Sequence, residues 1–562
     1  MLVEIQCDKF IKHGEIRKPI QFHAGLNTVI GDDNGSNSVG KSTFLMILDF
    51  VFGGKDYVNK CLDVQENVGE HTINFTFVFD GQPYHFSRNN IDYKHVFRCD
   101  EKYEPLAEDS KMTLDQYCAF LAEKYGTQVE EDLTWRGVIS RFIRVWKRDT
   151  LDEERPLRAA KDEKAEYAIK RYMQLYGKYA SVEAQIKQAK AAEDERDAFK
   201  KSSDYKHIRA AKNKPEYEDN ERRIVALRTQ EQELAEQSSK GLLDLDSFQA
   251  RHLSELDDQL LKYRRERARV QTQLNAIRRE MTEGKKSFKK TYSDLEKFFP
   301  GVDFQTIESI ESFHQQLAKV LGDEFKETEK DLATAYVMLG NEIARILEEV
   351  EEIKKIPNVS EAILKEYAKI TTELNNLIDA NRNYDRMNEL NDLVAEYAET
   401  RDRVIRDQLF AIETMLNQKM REISVQLLKD EQHMPPVLRM EKLNKYTFNT
   451  PNDGGTGAQY RGVITFDLAN MELSPLPFII HDMQMLLHIE KKVMAEIIKA
   501  YDAQKKDRKQ VFIAFDRLDT YDTKTKDTMN TNCVLELSPG GNELFGRAWN
   551  KETESEDGGE EK

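Results

Sequence analysis

Apolar residues recur at alternating steps of three and four along two stretches in the middle of this chain. One runs Leu253, Leu256, Leu260, Tyr263, Arg267, Val270, Leu274, Ile277, Met281, and the other Leu332, Tyr336, Leu339, Ile343, Ile346, Val350, Ile353. A seam of this period is the mark of a helix seeking a partner helix, and two seams flanking one midpoint predict an antiparallel coiled-coil arm. The arm is drawn over 157–425, where Glu, Lys, Arg, Gln, Ala and Leu dominate. The strongest breaker near its midpoint is "FFPGVDF", which puts the turn near 298–303, with "SSKGLLDLD" at 238–248 as the alternative. At ~1.5 Å per residue, roughly 130 residues in each direction give an arm of up to ~190 Å, shortened by any break.

The pattern changes on both sides of the arm. In 1–156, "LVEIQ", "PIQFHA" and "LNTVIG" read as strands, "STFLMILDFVF" as a buried helix, and "HTINFTFVFDGQPYHFSRN" as a hairpin turning at Asp80 and Gly81. In 426–550, strands are expected at Val437 to Met440, at Tyr446 to Phe448, in "LPFIIHD" and in "QVFIAF", with a helix through "MLLHIEKKVMAEIIKAYDAQ". The tail 551–562 is acidic, lacks apolar anchors and reads as disordered. The fold class predicted is therefore α/β, with one head divided between the two ends of the chain and a helical arm inserted between them.

Composition supports this division. Charged residues make up 33% and hydrophobic ones 39%, which suits long solvated helices attached to a globular part better than a compact multidomain enzyme. The net charge of -17 argues against indiscriminate coating of nucleic acid or anionic membrane and leaves room for a local basic patch. Cys7, Cys61, Cys99, Cys118 and Cys533 form no paired spacing, so a reducing cytoplasm is expected, with no disulfide framework. No apolar run approaches the length of a membrane span, so the chain should be soluble, with no membrane partner.

Chemistry enters at the end of the third strand. "GSNSVGKST" places Gly35, Ser36, Asn37, Ser38, Val39, Gly40, Lys41, Ser42 and Thr43 in the pattern G-x-x-x-x-G-K-S between a strand and a helix. Backbone N–H groups of such a Walker A loop wrap the phosphates of ATP, Lys41 offsets the β and γ charge, and the Ser42 hydroxyl is a ligand for Mg²⁺. A second carboxylate, on a neighbouring strand, completes a site of this kind. Asp482, at the carboxyl end of "FIIHD", is the candidate, shared between catalysis and metal binding.

Walker A at residue 35, the Walker B candidate at 482 and a coiled coil between them together resemble the SMC (structural maintenance of chromosomes) superfamily of ABC-type ATPases, including its RecN-like and double-strand-break-repair relatives. That resemblance spans the chain except its tail. It implies an ABC-type head split between two lobes, ATP and Mg²⁺ as cofactors, and a homodimer in which heads sandwich ATP. A signature motif from one head would then cap the γ-phosphate bound by the other, and Thr456 and Gly457 in "NDGGTGAQYRGVITFDLANM" take its serine and glycine positions. The chain is also similar to bacterial SMC-like ATPases of anti-phage defence, the Lamassu type within the ABC-three-component systems. The similarity lies in "NSVGKST", "VFGG", "WRGVISRFIR", "ESFHQQL", "GTG", "FDLA" and "IIHD". It implies double-stranded DNA, a small accessory subunit and an effector protein, often a nuclease, as partners.

Two departures from that family matter. Its glutamate after the Walker B aspartate is replaced by Met483, followed by Gln484, which leaves His481 or Asp516 to activate water, or turnover that is slow. The arm's turn carries no cysteine hook, so no zinc-bridged apex is expected. Finally, "RGVISRFIRVWKR", if helical, aligns Arg141, Arg144 and Arg148 on one side, as a DNA-phosphate contact or as partners of "DTLDEE". A RecN-like repair ATPase and a nucleotide-switched scaffold with little turnover stand as alternatives.

Overall fold

The computed structural model describes residues 1–549 apart from 33–38, 107–109, 205–208, 239–245, 299–303, 355–360, 430–432 and 517. Two compact units result, one of Met1–Ala184 with Asp402–Lys562 and one of Gln185–Arg401. The tail 551–562 and both positions proposed for the arm's turn fall wholly or largely on residues outside those described.

The head is built on a five-stranded parallel sheet: β1 (Gly25–Ile30), β2 (Ile143–Arg144), β3 (Phe478–His481), β4 (Gln510–Phe515) and β5 (Cys533–Glu536), in the order β2-β3-β4-β1-β5. Every residue of β1, β3 and β4 is buried, as expected of parallel strands covered on both faces. Among the described residues, β1 pairs only with C-terminal strands. Gly25 to Ile30 pair with Gln510 to Phe515 on one side, and Thr28 to Ile30 with Cys533 to Glu536 on the other. β3 follows from Phe478↔Gln510 to His481↔Ile513, and β2 closes the edge with Ile143↔Ile480 and Arg144↔His481.

That order corrects one expectation. β3, which leads to Asp482, is not the neighbour of β1; β4 lies between them, so three strand ends converge where two were expected. Helix α1 (Lys41–Val51) follows β1, and all its residues except Ser42 and Thr43 are buried. Phe52, just beyond α1, stacks on Phe478 at 3.8 Å and lies 5.7 Å from Phe77. One ring therefore joins the parallel sheet to a six-stranded antiparallel sheet containing Leu2–Gln6, Thr72–Phe79 and Gln82–Asn89. The hairpin turns at Asp80 and Gly81, whose φ values of 51° and 77° match a two-residue primed turn.

The "RGVISRFIRVWKR" segment is not one helix. Helix Trp135–Ile139 gives way to a 3₁₀ turn over Ser140–Phe142 and then to β2, because the edge of β3 captures Ile143 and Arg144. Beyond it, helix Ala165–Leu175, which was drawn as the start of the arm, buries Ala168, Ile169, Tyr172 and Met173 within the head unit. The Tyr172 hydroxyl donates to Asn470 Oδ1 at 2.8 Å.

In the arm unit, helices Asp246–Phe298 and Phe304–Lys354 pack antiparallel, with Leu256 and Leu260 against Ile343, Ile346 and Val350. Nearer the head in sequence, Ile224 and Leu227 meet Ile370 and Leu374. The polar interruption in the seam has a partner: Arg267 lies over the Tyr336 ring, 4.3 Å from its centroid. An arginine whose plane covers an aromatic face packs as an apolar residue does while keeping its charge.

Candidate functional site

Gly35, Ser36, Asn37 and Ser38 lie outside the described residues, so the structure speaks for the second half of the loop. Val39 accepts at its carbonyl from the Leu544 N–H at 3.0 Å, which fixes the loop to the C-terminal lobe. Gly40 has φ 100°, and a Cβ there would sit 2.6 Å from Leu544 Cβ. Both the left-handed backbone and the close approach require glycine at this position. Lys41 then opens α1, with Ser42 and Thr43 partly accessible in its first turn.

The structure brings Ser42 and Asp482 together across 440 residues of sequence: the Ser42 hydroxyl donates to Asp482 Oδ1 at 3.1 Å. Asp482 caps the helix Met483–Leu486, accepting from the Met483 N–H at 2.7 Å, and its Oδ2 accepts from the Trp146 N–H at 3.0 Å. Burial raises its pKa above the ordinary carboxylate value, against the pull of the Trp146, Ser42 and Met483 donors and of Lys41. A site of this kind gains from an added cation. Ser42 and Asp482 are hard oxygen donors, and one hydroxyl with one carboxylate, completed by phosphate and water oxygens, is a set that fits Mg²⁺.

Lys41 pairs with a different carboxylate. Its Nζ forms an ion pair with Asp516 Oδ1 at 2.9 Å, and both side chains are buried. Asp516 directly follows β4, the strand that the sheet order inserts between β1 and β3.

Arg141, Arg144 and Arg148 require a correction: none of them faces solvent, at 1%, 0% and 3% exposure. Arg141 donates to the Leu157 and Ala168 carbonyls, and Arg148 reaches Asp56 and Asp49. Arg144 forms a bidentate pair with Asp467 at 2.6 and 2.7 Å. Their carboxylate partners, Asp467, Asp49 and Asp56, come from outside the neighbouring "DTLDEE" acids, and of that stretch Arg144 reaches the Thr150 carbonyl at 2.9 Å. With the guanidinium groups desolvated and committed, they offer no surface to DNA phosphates.

Asp467 was missed by the sequence reading, although a lone acid inside the apolar run "GVITFDLANM" is the kind of signal that marks it. It lies on helix α2 (Thr456–Leu473), buried, and accepts from Arg144 and from His481 Nε2 at 2.8 Å. Burial opposes its charge, but Arg144 and His481 outweigh that and hold its pKa below the ordinary value. His481 completes a chain, with Nδ1 2.7 Å from the Tyr501 hydroxyl. Burial lowers the His481 pKa more than Asp467 raises it, and in the neutral ring this lowering favours, Nε2–H would donate to Asp467 and Nδ1 would accept from Tyr501.

Thr456 and Gly457 begin that same helix α2. Its N-cap, Gly455, supplies no side chain to the first N–H groups, and Thr456 is exposed. Gly457 packs against the loop after Asp482, where a Cβ would overlap the His488 carbonyl oxygen. Arg144 and His481, on β2 and β3, both end on α2 through Asp467, so the candidate signature helix and the Asp482 strand are joined by buried contacts.

Comparison with known proteins adds context. Residues 420–549 match the family described as "Uncharacterised protein conserved in bacteria (DUF2326)". No curated protein matches the chain. Among solved structures, the chain is similar to the Smc head domain with a coiled coil and joint from Pyrococcus yayanosii, at 12% identity and TM-score 0.39, covering 96% of this chain and 94% of that one. It is also similar to the Smc head domain with an extended coiled coil bound to the C-terminal domain of ScpA from Pyrococcus furiosus, at 11% identity and TM-score 0.33, covering 96% and 92%.

Proposed function

We propose that this chain is an SMC-like ATPase whose heads pair around ATP. The observation that carries the reading is the 3.1 Å contact between Ser42 and Asp482, made at the carboxyl ends of parallel strands by residues from opposite ends of the chain. Lys41 would meet the β and γ phosphates, and Ser42 with Asp482 would hold Mg²⁺, which offsets phosphate charge when bound. Thr456 and Gly457, at an exposed N-terminus of an 18-residue helix, would offer N–H groups and a positive dipole end to the γ-phosphate held by a second head.

The wider role rests on the sequence resemblance. In that reading the paired heads sense or clamp double-stranded DNA in the cytoplasm and control an accessory subunit and an effector, often a nuclease, in defence against phage or plasmids. DNA contact is assigned to no named arginine, since the three candidates are buried. Met483 after Asp482 favours a second reading, a nucleotide-switched scaffold that binds ATP and turns it over slowly.

Purified full-length protein should bind ATP in the presence of Mg²⁺ and hydrolyse it faster when DNA is added. Lys41→Ala should weaken ATP binding by an order of magnitude or more and abolish the DNA-stimulated turnover, as removal of a buried charge partner of the phosphates requires. DNA binding that is unaffected by ATP, together with no detectable nucleotide binding, would sink the reading.

A further inference from the structure

If ATP is hydrolysed here, a group must take the proton of the attacking water, and the position after Asp482 supplies only Met483. His481 is excluded by its surroundings. It is fully buried, both ring nitrogens are engaged by Asp467 and Tyr501, and it belongs to the network joining β3 to α2. Asp49 and Asp467 are likewise committed, the first to Arg136 and Arg148 and the second to Arg144.

Asp516 differs from all of these. It stands at the carboxyl end of β4, between the strand end that leads to the phosphate loop and the one that leads to Asp482. Its Oδ1 lies 2.9 Å from Lys41 Nζ, the ammonium that a P-loop presents to the β and γ oxygens. Gly31, just past β1, presses on the same carboxylate: a Cβ there would overlap Asp516 Oδ1 and lie 3.0 Å from Lys41 Cδ. The carboxylate is thus held at the phosphate end of the site by backbone as well as by charge.

Resting on the nucleotide reading above, we propose that Asp516 is a catalytic residue, the carboxylate that accepts the proton from the water attacking the γ-phosphorus. Without nucleotide it neutralises Lys41. When the ammonium turns to the phosphates, Asp516 gives up this ion pair. The water oxygen then bonds to the γ-phosphorus, the bond from that phosphorus to the bridging oxygen breaks, and its electron pair leaves on ADP. The water's proton passes to an Asp516 oxygen and from there to solvent.

The test uses full-length protein and Asp516→Asn, whose amide oxygen still accepts from Lys41 but takes no proton. Without nucleotide its melting temperature should fall, because Lys41 loses a buried counter-ion, while the transition stays cooperative. ATP affinity, measured by equilibrium titration, should be unchanged or tighter, while turnover falls by about 100-fold or more, the usual contribution of general base catalysis. Should the amide fail to seat, Asp516→Ser removes the carboxylate with a smaller side chain and gives the same two readouts.

Turnover within about threefold of wild type would overturn the proposal, given that expected contribution. So would a joint loss of turnover and ATP binding in the folded variant, which would make Asp516 a positioning residue for Lys41. Wild-type protein that binds ATP and never hydrolyses it would also overturn it. Wild-type protein that binds no ATP would instead overturn the nucleotide reading itself.

Discussion

At the scale of single residues, the head is organised by buried charges whose partners come from distant sequence. Arg144 and Asp467 are both fully buried and satisfy each other with two short charge-assisted bonds. Removing one member leaves the other charge stranded in a dry interior, which costs roughly 3–5 kcal/mol. Asp467→Ala should therefore lower the denaturant midpoint of the head sharply, and the double variant Arg144→Met with Asp467→Leu should recover much of that loss. A double variant no more stable than the single one would contradict this account.

The same residues set a pH dependence. His481 has a folded pKa below its ordinary 6.5, through burial, so below that pH the unfolded chain binds a proton that the folded chain refuses. Stability then falls as pH drops below 6.5. Asp467 and Asp49 have folded pKa values below 3.8, because their arginines overcome the burial that opposes their charge; their contribution is present above that value and is lost as pH falls through the folded pKa. Asp482 has the opposite sign, being raised by burial. Calorimetry should show a melting temperature that declines from pH 7.5 to 5.5, with a further fall below pH 4; a temperature flat across both windows would contradict the assignment.

At the scale of elements, periodicity decides where helices pair. Ile346 is fully buried between Leu256 and Leu260, whereas Val337, on the same helix, is 59% exposed. Truncating a buried isoleucine to alanine costs about 2–5 kcal/mol, and truncating an exposed valine costs little. Hydrogen exchange should accordingly show faster opening of the arm amides around residues 256 and 346 in Ile346→Ala, and no change in Val337→Ala. The heptads, the Asp80–Gly81 hairpin, and the strands of "FIIHD" and "QVFIAF" were legible because each rests on local pattern. The "RGVISRFIRVWKR" segment was misread because its charges suggested an exposed helix face. The open edge of β3, the buried acceptors Asp467 and Asp49, and the partly exposed Asp56 override that local pattern.

At the scale of the whole molecule, neither end of the chain completes the parallel sheet alone. β1 takes both its neighbours, β4 and β5, from beyond residue 509. Residues 1–184 expressed alone should be insoluble or unfolded, because a fully buried central strand would be left with two open edges. Co-expressed with residues 402–562, they should be recovered as a soluble complex by affinity purification through a tag on either piece. A well-folded 1–184 fragment by circular dichroism would show that the split is less deep than the register indicates.

The sequence by itself determined the parts: a phosphate-type loop between strand and helix, two partner-seeking seams, and an apolar strand ending in Asp482. These follow from short-range rules of steric fit and hydrophobic period, which act within a few residues. Only the tertiary structure decided how the parts meet. It inserted β4 between β1 and β3, so that Asp516 reached Lys41, and it withdrew Arg141, Arg144 and Arg148 into the interior. It also tied α2 to β3 through Asp467 and His481. Strand order and the pairing of buried charges depend on which surfaces find each other across hundreds of residues, and no local pattern encodes that choice.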